Sequence, residues 1–172
     1  MSERFILSHD YISRRIVDYL IHKDMGNWHE EKTECLNTHE QGVDIRLVGG
    51  KRNSEYFLIE VKAKSYSENK RSADSSNKEG WLNALGQIVT RMHVKRFTKS
   101  RTDGRISGIN RAYKYGLGIC YEGAQVALRR IPKEVATTLN LHIFSVDDEG
   151  FVVQFTPKDF GKEHSEEDFH QK

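Results

Sequence analysis

The spacing of apolar residues predicts an amphipathic helix near the start of the chain. Ile12, Ile16 and Leu20 recur at intervals of four residues, as they do on one face of a helix. Ser8 precedes this series, and serine is a typical N-cap residue. We therefore predict a helix over about residues 9–23.

A second pattern, in which apolar and polar residues alternate, predicts strands after this helix. The segment Gly42–Val48 alternates cleanly, and the apolar segment Tyr56–Ala63 follows it beyond a turn. The segment Trp28–Leu36 predicts a strand before these two. The first half of the chain is therefore predicted to fold as one helix and three strands.

The second half of the chain predicts another helix, another long strand and a smaller group of elements. Residues 65–79 are polar and predict a mobile loop, and Gly80–Phe97 has the apolar spacing of a helix. Tyr113–Glu122 predicts a strand. The last predicted elements are a helix near Lys133–Leu139 and strands near 141–146 and 151–155.

The predicted order is α-β-β-β-α-β followed by α-β-β, which is typical of an α/β fold with a mixed central sheet flanked by helices. No repeat or linker divides the chain. We predict one domain over residues 1–172, with a core over about 8–122 and a C-terminal extension over about 123–172.

The two central strands can be aligned from the sequence because their apolar residues have odd numbers. A hairpin that buries both apolar sets on one side must pair odd with odd, since a slip of one residue turns a whole strand over. A turn centred near Arg52 pairs Leu47 with Phe57 and Ile45 with Ile59.

The same register predicts that charged residues face each other on the opposite side of the hairpin. Asp44 then lies across from Glu60, with about 5 Å between Cβ atoms, and Lys62 shares their face. We expect this face to be accessible to solvent. Two facing carboxylates repel each other, whereas a divalent cation between them would be coordinated by both.

This arrangement resembles the PD-(D/E)XK nuclease superfamily. Asp44, fifteen intervening residues and then Glu60-Val61-Lys62 lie on a hairpin that follows a first helix. The superfamily includes many restriction endonucleases, archaeal Holliday-junction resolvases and several repair nucleases, and its fold has an α-β-β-β-α-β core. The resemblance implies a restriction-endonuclease-like fold over about two-thirds of the chain, and it does not extend to the C-terminal extension.

The chain departs from the family pattern before Asp44, where Val43 stands in place of the nominal proline. Many members of the family also have an acidic residue on the first helix. An ordinary solvated carboxylate is the alternative for each of the candidates here, which are Asp10 and Asp18 on the helix and Glu30 and Glu34 on the first strand.

Some branches of the family place a glutamine on the helix after the Glu-x-Lys strand, and Gln87 fits this position. Asn83 and Arg91 lie four residues to either side of it, so the three residues form one polar stripe. The alternative is a stripe that simply faces solvent.

The distribution of charge indicates a surface for a polyanion. The net charge is only +2, but ten lysines and arginines lie between Arg91 and Arg130 against Asp103 and Glu122. The alternative is a solvated helix followed by a basic loop. The residues that we expect to contact nucleic-acid phosphates are Arg91, Lys95, Arg96, Lys99, Arg101, Arg105 and Arg111.

Other features of the sequence exclude several classes of protein. No stretch approaches the roughly 18 apolar residues that a membrane span needs, and the N-terminus lacks the features of a signal peptide, which predicts a cytoplasmic protein. Cys35 and Cys120 are too few for a disulfide framework or a thiolate zinc site. No nucleotide-binding loop is present, and we expect no organic cofactor.

The resemblance implies a DNA phosphodiester hydrolase that depends on Mg²⁺, for which Mn²⁺ can substitute. Asp44, Glu60 and the backbone carbonyl of Val61 would hold the metal, and Lys62 and Gln87 would act on the attacking water or the phosphate. We expect a homodimer, because cleavage of both DNA strands by a small domain usually needs two active sites. The alternatives are a protein of the same fold that binds without cleaving, and an RNA-processing nuclease.

The basic residues give a testable prediction about DNA binding. Replacing Lys95, Arg96 and Lys99 with alanine should flatten the log–log salt dependence of DNA affinity by up to about three units, because fewer counterions are released. Filter binding over a range of salt concentrations measures this slope. An unchanged slope would mean that these side chains face away from the nucleic acid.

Overall fold

The computed structural model of the chain describes residues 6–22, 27–30, 43–49, 55–91, 101–102, 105–106 and 112–170. Within these residues the protein is an α/β structure whose mixed sheet is flanked by helices. In chain order the elements are α1 (His9–His22), β1 (His29–Glu30), β2 (Ile45–Gly49), β3 (Glu55–Val61), α2 (Lys70–Arg91), β4 (Arg101–Thr102), β5 (Arg105–Ile106), β6 (Ala112–Cys120), α3 (Tyr121–Arg130), α4 (Lys133–Leu139), β7 (Leu141–Val146), β8 (Val152–Phe155) and a 3-10 helix (Glu166–Phe169).

The described strands form a six-stranded sheet in the order β1-β2-β3-β6-β7-β8, and β4 pairs with β5 in a separate two-stranded sheet. The strands β1, β2 and β3 are antiparallel neighbours, and β7 and β8 are also antiparallel. The strands β3, β6 and β7 run parallel. Parallel neighbours need a crossover, and α2 lies in the connection between β3 and β6.

Each face of the sheet has its own apolar core. On one face α1 buries Ile12, Ile16 and Leu20 against the odd-numbered residues of β3 and against Phe144 of β7. Gly118 of β6 lets α1 approach this closely, because a Cβ at this position would lie 2.5 Å from the Cδ1 of Ile16. On the other face α2, α3 and α4 pack against β6 and β7.

The N-terminus of α1 has the cap that the sequence predicts. The backbone N–H of Tyr11 donates to the Oγ of Ser8 at 3.2 Å, and the N–H of Ile12 donates to the Ser8 carbonyl at 3.0 Å. The preceding residue, Leu7, is fully buried, and its carbonyl accepts a hydrogen bond from the backbone N–H of Lys64 at 3.0 Å. The start of α1 is therefore attached to the segment that leaves β3.

The helix α2 begins ten residues earlier than predicted, since it starts at Lys70 and takes up most of the polar segment 65–79. Ala73 and Asn77 are buried, and they lie on the helix face that continues through Trp81. Two hydrogen bonds join Asn77 to Ser65. The Oδ1 of Asn77 accepts from the backbone N–H of Ser65 at 2.6 Å, and the Nδ2 of Asn77 donates to the Ser65 carbonyl at 3.1 Å. The prediction of a mobile loop was wrong, because a polar composition does not show that Asn77 makes a buried tertiary contact with Ser65.

A helix that the sequence analysis did not predict, α3, follows β6 directly. Its residues Ala124, Ala127 and Leu128 are buried and have the three-to-four-residue spacing of a helix face. The predicted strand therefore ends at Cys120 rather than at Glu122. The C-terminal extension continues the same sheet through β7 and β8, and its Phe155 and Phe169 enter the core beneath α2 and α3.

Parts of several predicted elements lie outside the described residues. They are the strand beyond Glu30, the turn at 50–54, the helix beyond Arg91, and most of the basic segment 92–111. Among the described helices, none combines the length and apolar character needed to cross a membrane.

Candidate active site

The candidate active site lies where β2 begins and β3 ends. The predicted register is confirmed, because Leu47 pairs with Phe57 and Ile45 pairs with Ile59. Asp44 immediately precedes β2, so a continuation of this register brings it opposite Glu60. The antiparallel pairing thus brings Asp44 and Glu60 opposite each other, although fifteen residues separate them in the chain.

The carboxylate of Asp44 has two neighbours. Its Oδ2 accepts a hydrogen bond from the backbone N–H of Val61 at 2.7 Å. Its Oδ1 lies 3.2 Å from the Nε2 of His9, at the first residue of α1. The Asp44 side chain is 24% exposed, so one side of the carboxylate remains open to solvent.

Glu60 lies in a different environment from the one expected. The sequence analysis expected a solvent-accessible face, whereas Glu60 is only 1% exposed. The physical reason is the adjacent helix α2, which contacts β3 along this face. A buried carboxylate is costly unless it is compensated by hydrogen bonds, a countercharge or a metal.

Val61 and Lys62 are oriented as the register predicts. Val61 is buried in the core beneath α1. Lys62 is on the α2 side, where a Cβ built on Gly80 would lie 3.8 Å from the Cβ of Lys62. The Val61 N–H points toward Asp44, and in an extended strand the carbonyl of the same residue points to the same edge. The Val61 carbonyl is therefore directed toward the Asp44 side of β3.

Two lysines leave β3 at this edge, and their surroundings differ. Lys64 has a side chain that is only 12% exposed, and its Nζ lies 2.7 Å from Asp148 Oδ1 and 3.0 Å from Glu122 Oε1. Burial alone would lower its pKa, but the hydrogen bonds and negative charges of Asp148 and Glu122 outweigh burial and raise the pKa of Lys64. Lys64 therefore stays charged at neutral pH and is unsuited to act as a base.

Lys62, by contrast, makes no side-chain hydrogen bond or ion pair within the part of the chain that the structure describes. Its backbone N–H donates to the carbonyl of Gly118 at 2.9 Å, which fixes the main chain on β6. The ammonium group of Lys62 is thus available to a ligand, whereas that of Lys64 is already paired.

A cleft of about 480 Å³ lies at the same edge of the sheet. It is formed where the parallel strands β3, β6 and β7 reach their carboxyl ends, which is where open α/β sheets commonly bind ligands. The residues that line it are Lys64, Tyr121, Glu122, Val146, Asp147, Asp148, Glu149, Phe151 and His170.

The helix α2, which contacts β3, carries Gln87. Gln87 lies two helical turns beyond Gly80, which packs against Lys62, and the two residues are on one flank of the helix. The Oε1 of Gln87 is buried and accepts no hydrogen bond from any described residue. Asn83, which belongs to the predicted polar stripe, is exposed. The side chain of Arg91 lies outside the described part, so Gln87 is the one described member of the stripe that is half-buried.

Of the acidic residues considered as further metal ligands, Asp10, Asp18 and Glu30 are described and are exposed. The Oδ1 of Asp10 lies 3.6 Å from the Nδ1 of His9. Asp18 is exposed on α1. Glu30 pairs with Leu47, which is three residues from Asp44, or about 10 Å along the strand. Glu34 lies outside the described residues.

Most of the predicted phosphate-binding residues lie outside the part of the chain that the structure describes. Lys95, Arg96, Lys99 and Arg111 lie outside the described residues. Arg101 and Arg105 lie on the hairpin of β4 and β5, and their side chains are not described. Their contact with nucleic acid therefore stays a prediction.

Asp44 and Glu60 supply carboxylate oxygens, the kind of ligand that a hard divalent cation prefers. Within the described residues, no group of three or more histidine, cysteine, aspartate or glutamate side chains is placed to hold a metal. Mg²⁺ is often bound by only one or two carboxylates, because it keeps several waters. Two carboxylates and a backbone carbonyl are a donor set of this chemical type, and their binding of a cation stays a prediction.

The thiol of Cys120 is not a candidate nucleophile. It is buried at the end of β6, and burial raises its pKa to about 12. A thiolate is the reactive form of cysteine, so this residue is inert at neutral pH.

Comparisons of the chain with protein-family models, curated proteins and solved structures gave no match. The resemblance to the PD-(D/E)XK superfamily therefore stays a prediction that rests on the residues themselves.

The sequence analysis missed two residues of this site, His9 and Lys64. His9 follows the N-cap of α1, but nothing in its spacing indicates that the helix start packs at the end of β3. Lys64 repeats the spacing of Glu60 and Lys62, which is a signal that the sequence does contain. What it lacks is the identity of the partners, since Glu122 and Asp148 are distant in the chain.

The different surroundings of the two lysines give a prediction about stability. Lys64→Met leaves Glu122 and Asp148 without their shared cation and should lower the free energy of unfolding by about 1–3 kcal/mol. Since Asp148 is 57% exposed, we expect a value in the lower half of that range. Lys62→Met should change it by less than about 0.5 kcal/mol.

Urea unfolding of the two variants without metal measures this difference. Equal losses for Lys62→Met and Lys64→Met would contradict the assignment of paired and unpaired lysines.

Proposed function

We propose that the protein is a Mg²⁺-dependent hydrolase of DNA phosphodiester bonds, with a restriction-endonuclease-like fold. One observation carries the proposal: Asp44 is fixed by the backbone N–H of Val61 beside Glu60-Val61-Lys62, at the end of β3. The resemblance to the PD-(D/E)XK superfamily implies that Asp44 lies beside these three residues.

The order and pairing of the elements support the proposed fold. The elements α1, β1, β2, β3, α2 and β6 follow one another in the order α-β-β-β-α-β, interrupted by the two short strands β4 and β5. β2 and β3 form an antiparallel hairpin, and β3 and β6 are parallel on either side of the α2 connection. The helices α3 and α4 and the strands β7 and β8 would then be additions to that core.

Asp44, Glu60 and the Val61 carbonyl are the proposed ligands of Mg²⁺, and Mn²⁺ accepts the same oxygen ligands. When bound, the cation would polarise the scissile phosphate and lower the pKa of the attacking water. Asp44 is suited to its role because the Val61 N–H fixes one of its oxygens while the side chain as a whole is 24% exposed. Glu60 contributes a carboxylate whose burial keeps it in place.

Lys62 and Gln87 are proposed to act on the reacting groups. The ammonium of Lys62, which has no ion pair with any residue that the structure describes, would orient the attacking water and offset the negative charge that develops on the phosphate. The buried Oε1 of Gln87 would accept a hydrogen bond from a water in the same space. Lys64, held by Glu122 and Asp148, would keep the segment after Lys62 in place rather than take part in the reaction.

The basic residues between Arg91 and Arg111 are proposed to bind the phosphates of the substrate. Such contacts position the duplex without reading its sequence. They follow α2, the helix whose Gly80 lies beside Lys62 and whose last residue is Arg91. A homodimer would supply the second active site that cleavage of both strands requires.

A second candidate function, binding of nucleic acid without cleavage, is favoured by the burial of Glu60. A carboxylate that is 1% exposed leaves little space for the water shell that Mg²⁺ retains. A protein of this kind would bind DNA equally well with and without the cation.

The experiment that tests the proposal compares cleavage by the wild type with cleavage by Asp44→Asn and Lys62→Met. Asparagine keeps an oxygen for the Val61 N–H but removes the charge, so Asp44→Asn should fold and lose at least about 100-fold in rate. Lys62→Met should lose a similar factor. The control is Lys133→Met on the exposed first residue of α4, which should cut at the wild-type rate.

Plasmid, linear and branched DNA and single-stranded RNA should each be offered with Mg²⁺, with Mn²⁺ and with EDTA. Cleavage of RNA alone would identify an RNA-processing nuclease. DNA binding by the wild type with no cleavage of any substrate would favour the second candidate function. Cleavage by Asp44→Asn at the wild-type rate would refute the site assignment.

A further inference from the structure

We propose that Tyr66 and Phe151 stack on unpaired bases of the nucleic acid, so that the site takes DNA with a single-stranded segment rather than a continuous duplex. This inference rests on the proposed function and deepens it, because it names the class of DNA that the same site takes. Neither residue is among those that the family resemblance implies.

The two side chains are distinguished by their exposure and by their place in the fold. Of the phenylalanine, tyrosine and tryptophan side chains that the structure describes, Tyr66 and Phe151 are the most exposed, at 50% and 41%. Single exposed apolar residues are ordinary on a protein surface. Here, however, both rings lie near Lys64, whose Nζ is 6.0 Å from the centre of the Tyr66 ring and which lines the cleft together with Phe151.

Tyr66 is held in place on the segment that leaves β3. Its hydroxyl accepts a hydrogen bond from the backbone N–H of Leu7 at 2.9 Å. The preceding residue, Ser65, is joined to Asn77 of α2 by two hydrogen bonds. Tyr66 follows Lys62 by four residues, and four residues span at most about 14 Å. The ring is therefore within reach of the nucleotides beside the bond that the proposed site would cut.

Phe151 is held by the turn between β7 and β8. Its backbone N–H donates to the Oδ1 of Asp147 at 2.8 Å, and its carbonyl accepts from the backbone N–H of Asp147 at 3.1 Å. The main chain at Phe151 is therefore fixed before a ligand arrives. Since less has to be ordered on binding, such a residue loses less conformational entropy than one on a free loop.

The charges around the rings favour bases over phosphates. The cleft is lined by the carboxylates of Glu122, Asp147, Asp148 and Glu149. Lys64 is the one lysine or arginine among the lining residues, and Glu122 and Asp148 already pair with it. Clustered negative charge repels the phosphates of a nucleic acid. A neutral base is not repelled, and its amino groups can donate to carboxylates. We therefore expect bases, and not the backbone, to face this part of the protein.

A base can offer its face to these rings when it is not paired and stacked in a duplex. Removing a base from a duplex costs the energy of unpairing and unstacking, which an unpaired base does not require. Stacking on an aromatic side chain tolerates any sequence, because every base has a π-face. We therefore expect a preference for forked, branched or single-stranded DNA, without a preference for sequence.

The variants Tyr66→Leu and Tyr66→Phe form a matched pair. Both lose the hydroxyl that accepts the Leu7 N–H, so they should lose thermal stability to the same extent. Leucine alone also lacks the ring. Tyr66→Leu should therefore weaken the binding of DNA with an unpaired arm by at least about fivefold, whereas Tyr66→Phe should stay within about threefold of the wild type. Phe151→Leu should weaken binding by a factor similar to that of Tyr66→Leu.

The control is Ile21→Ala, in the last turn of α1, at the end of that helix away from Asp44. It removes an apolar side chain that is 40% exposed, similar to Phe151, and should bind as the wild type does.

Binding is measured by fluorescence anisotropy in EDTA, which keeps the DNA intact. The probes are a duplex with an unpaired arm of thymidines and a blunt duplex of the same paired sequence. The wild type should bind the first probe more tightly, and Tyr66→Leu and Phe151→Leu should lose this difference. Their affinity for the blunt duplex should change by less than about twofold. A 2-aminopurine base in the arm should be quenched by the wild type and less by Tyr66→Leu.

The outcomes separate this inference from the proposed function. If the wild type cuts DNA in Mg²⁺ but binds both probes equally, or if Tyr66→Phe is as impaired as Tyr66→Leu, the inference is refuted and the proposed function stands. If the wild type prefers the unpaired arm through these rings but cuts neither probe in Mg²⁺, the inference is supported and the proposed cleavage is refuted. If it neither binds nor cuts either probe, both are refuted.

Discussion

The pairing of β2 with β3 determines how Asp44, Glu60 and Lys62 lie relative to one another in the candidate site. Ile45 faces Ile59 and Leu47 faces Phe57, and these four side chains are buried beneath α1. A slip of one residue would turn them toward α2 and expose apolar surface, so the register is strongly favoured. In this register the residue before β2 is an aspartate, and it meets the end of β3 where Glu60-Val61-Lys62 lies.

The two faces of β3 have separate tasks in this arrangement. The odd residues pack under α1 and hold the hairpin, and Val61 is the last of them. The even residues lie toward α2, which buries Glu60 and packs Gly80 against Lys62. One strand therefore joins the apolar core to the polar site, and a change in either core would move the carboxylates. Lys64 adds a further link, since its ion pairs connect the end of β3 to α3 and to the turn after β7.

The sequence was sufficient for the parts of the fold that depend on local pattern. The odd-numbered apolar residues gave the register of the hairpin, and Ser8 with its periodic neighbours gave α1. The first turns of α2 were not predicted, because their polar residues are stabilised by a tertiary contact between Asn77 and Ser65. α3 was not predicted because it follows β6 without a glycine or proline between them.

The sequence likewise predicts the residues of the candidate site that follow from local pattern, but not their tertiary contacts. Asp44, Glu60 and Lys62 follow from register and resemblance, since both depend on residues close in the chain. The burial of Glu60, the contact of His9 with Asp44 and the partners of Lys64 all depend on how separate elements pack. Sequence spacing carries no information about such contacts.

The most direct test of the central claim is the position of a bound cation. Crystals of the protein soaked in Mn²⁺ would give an anomalous difference map that locates the ion without reference to catalysis. The account predicts a peak within coordination distance of the carboxylates of Asp44 and Glu60 and of the Val61 carbonyl, at about 2.0–2.3 Å. The absence of a peak at these residues, with Mn²⁺ bound elsewhere or not at all, would contradict it.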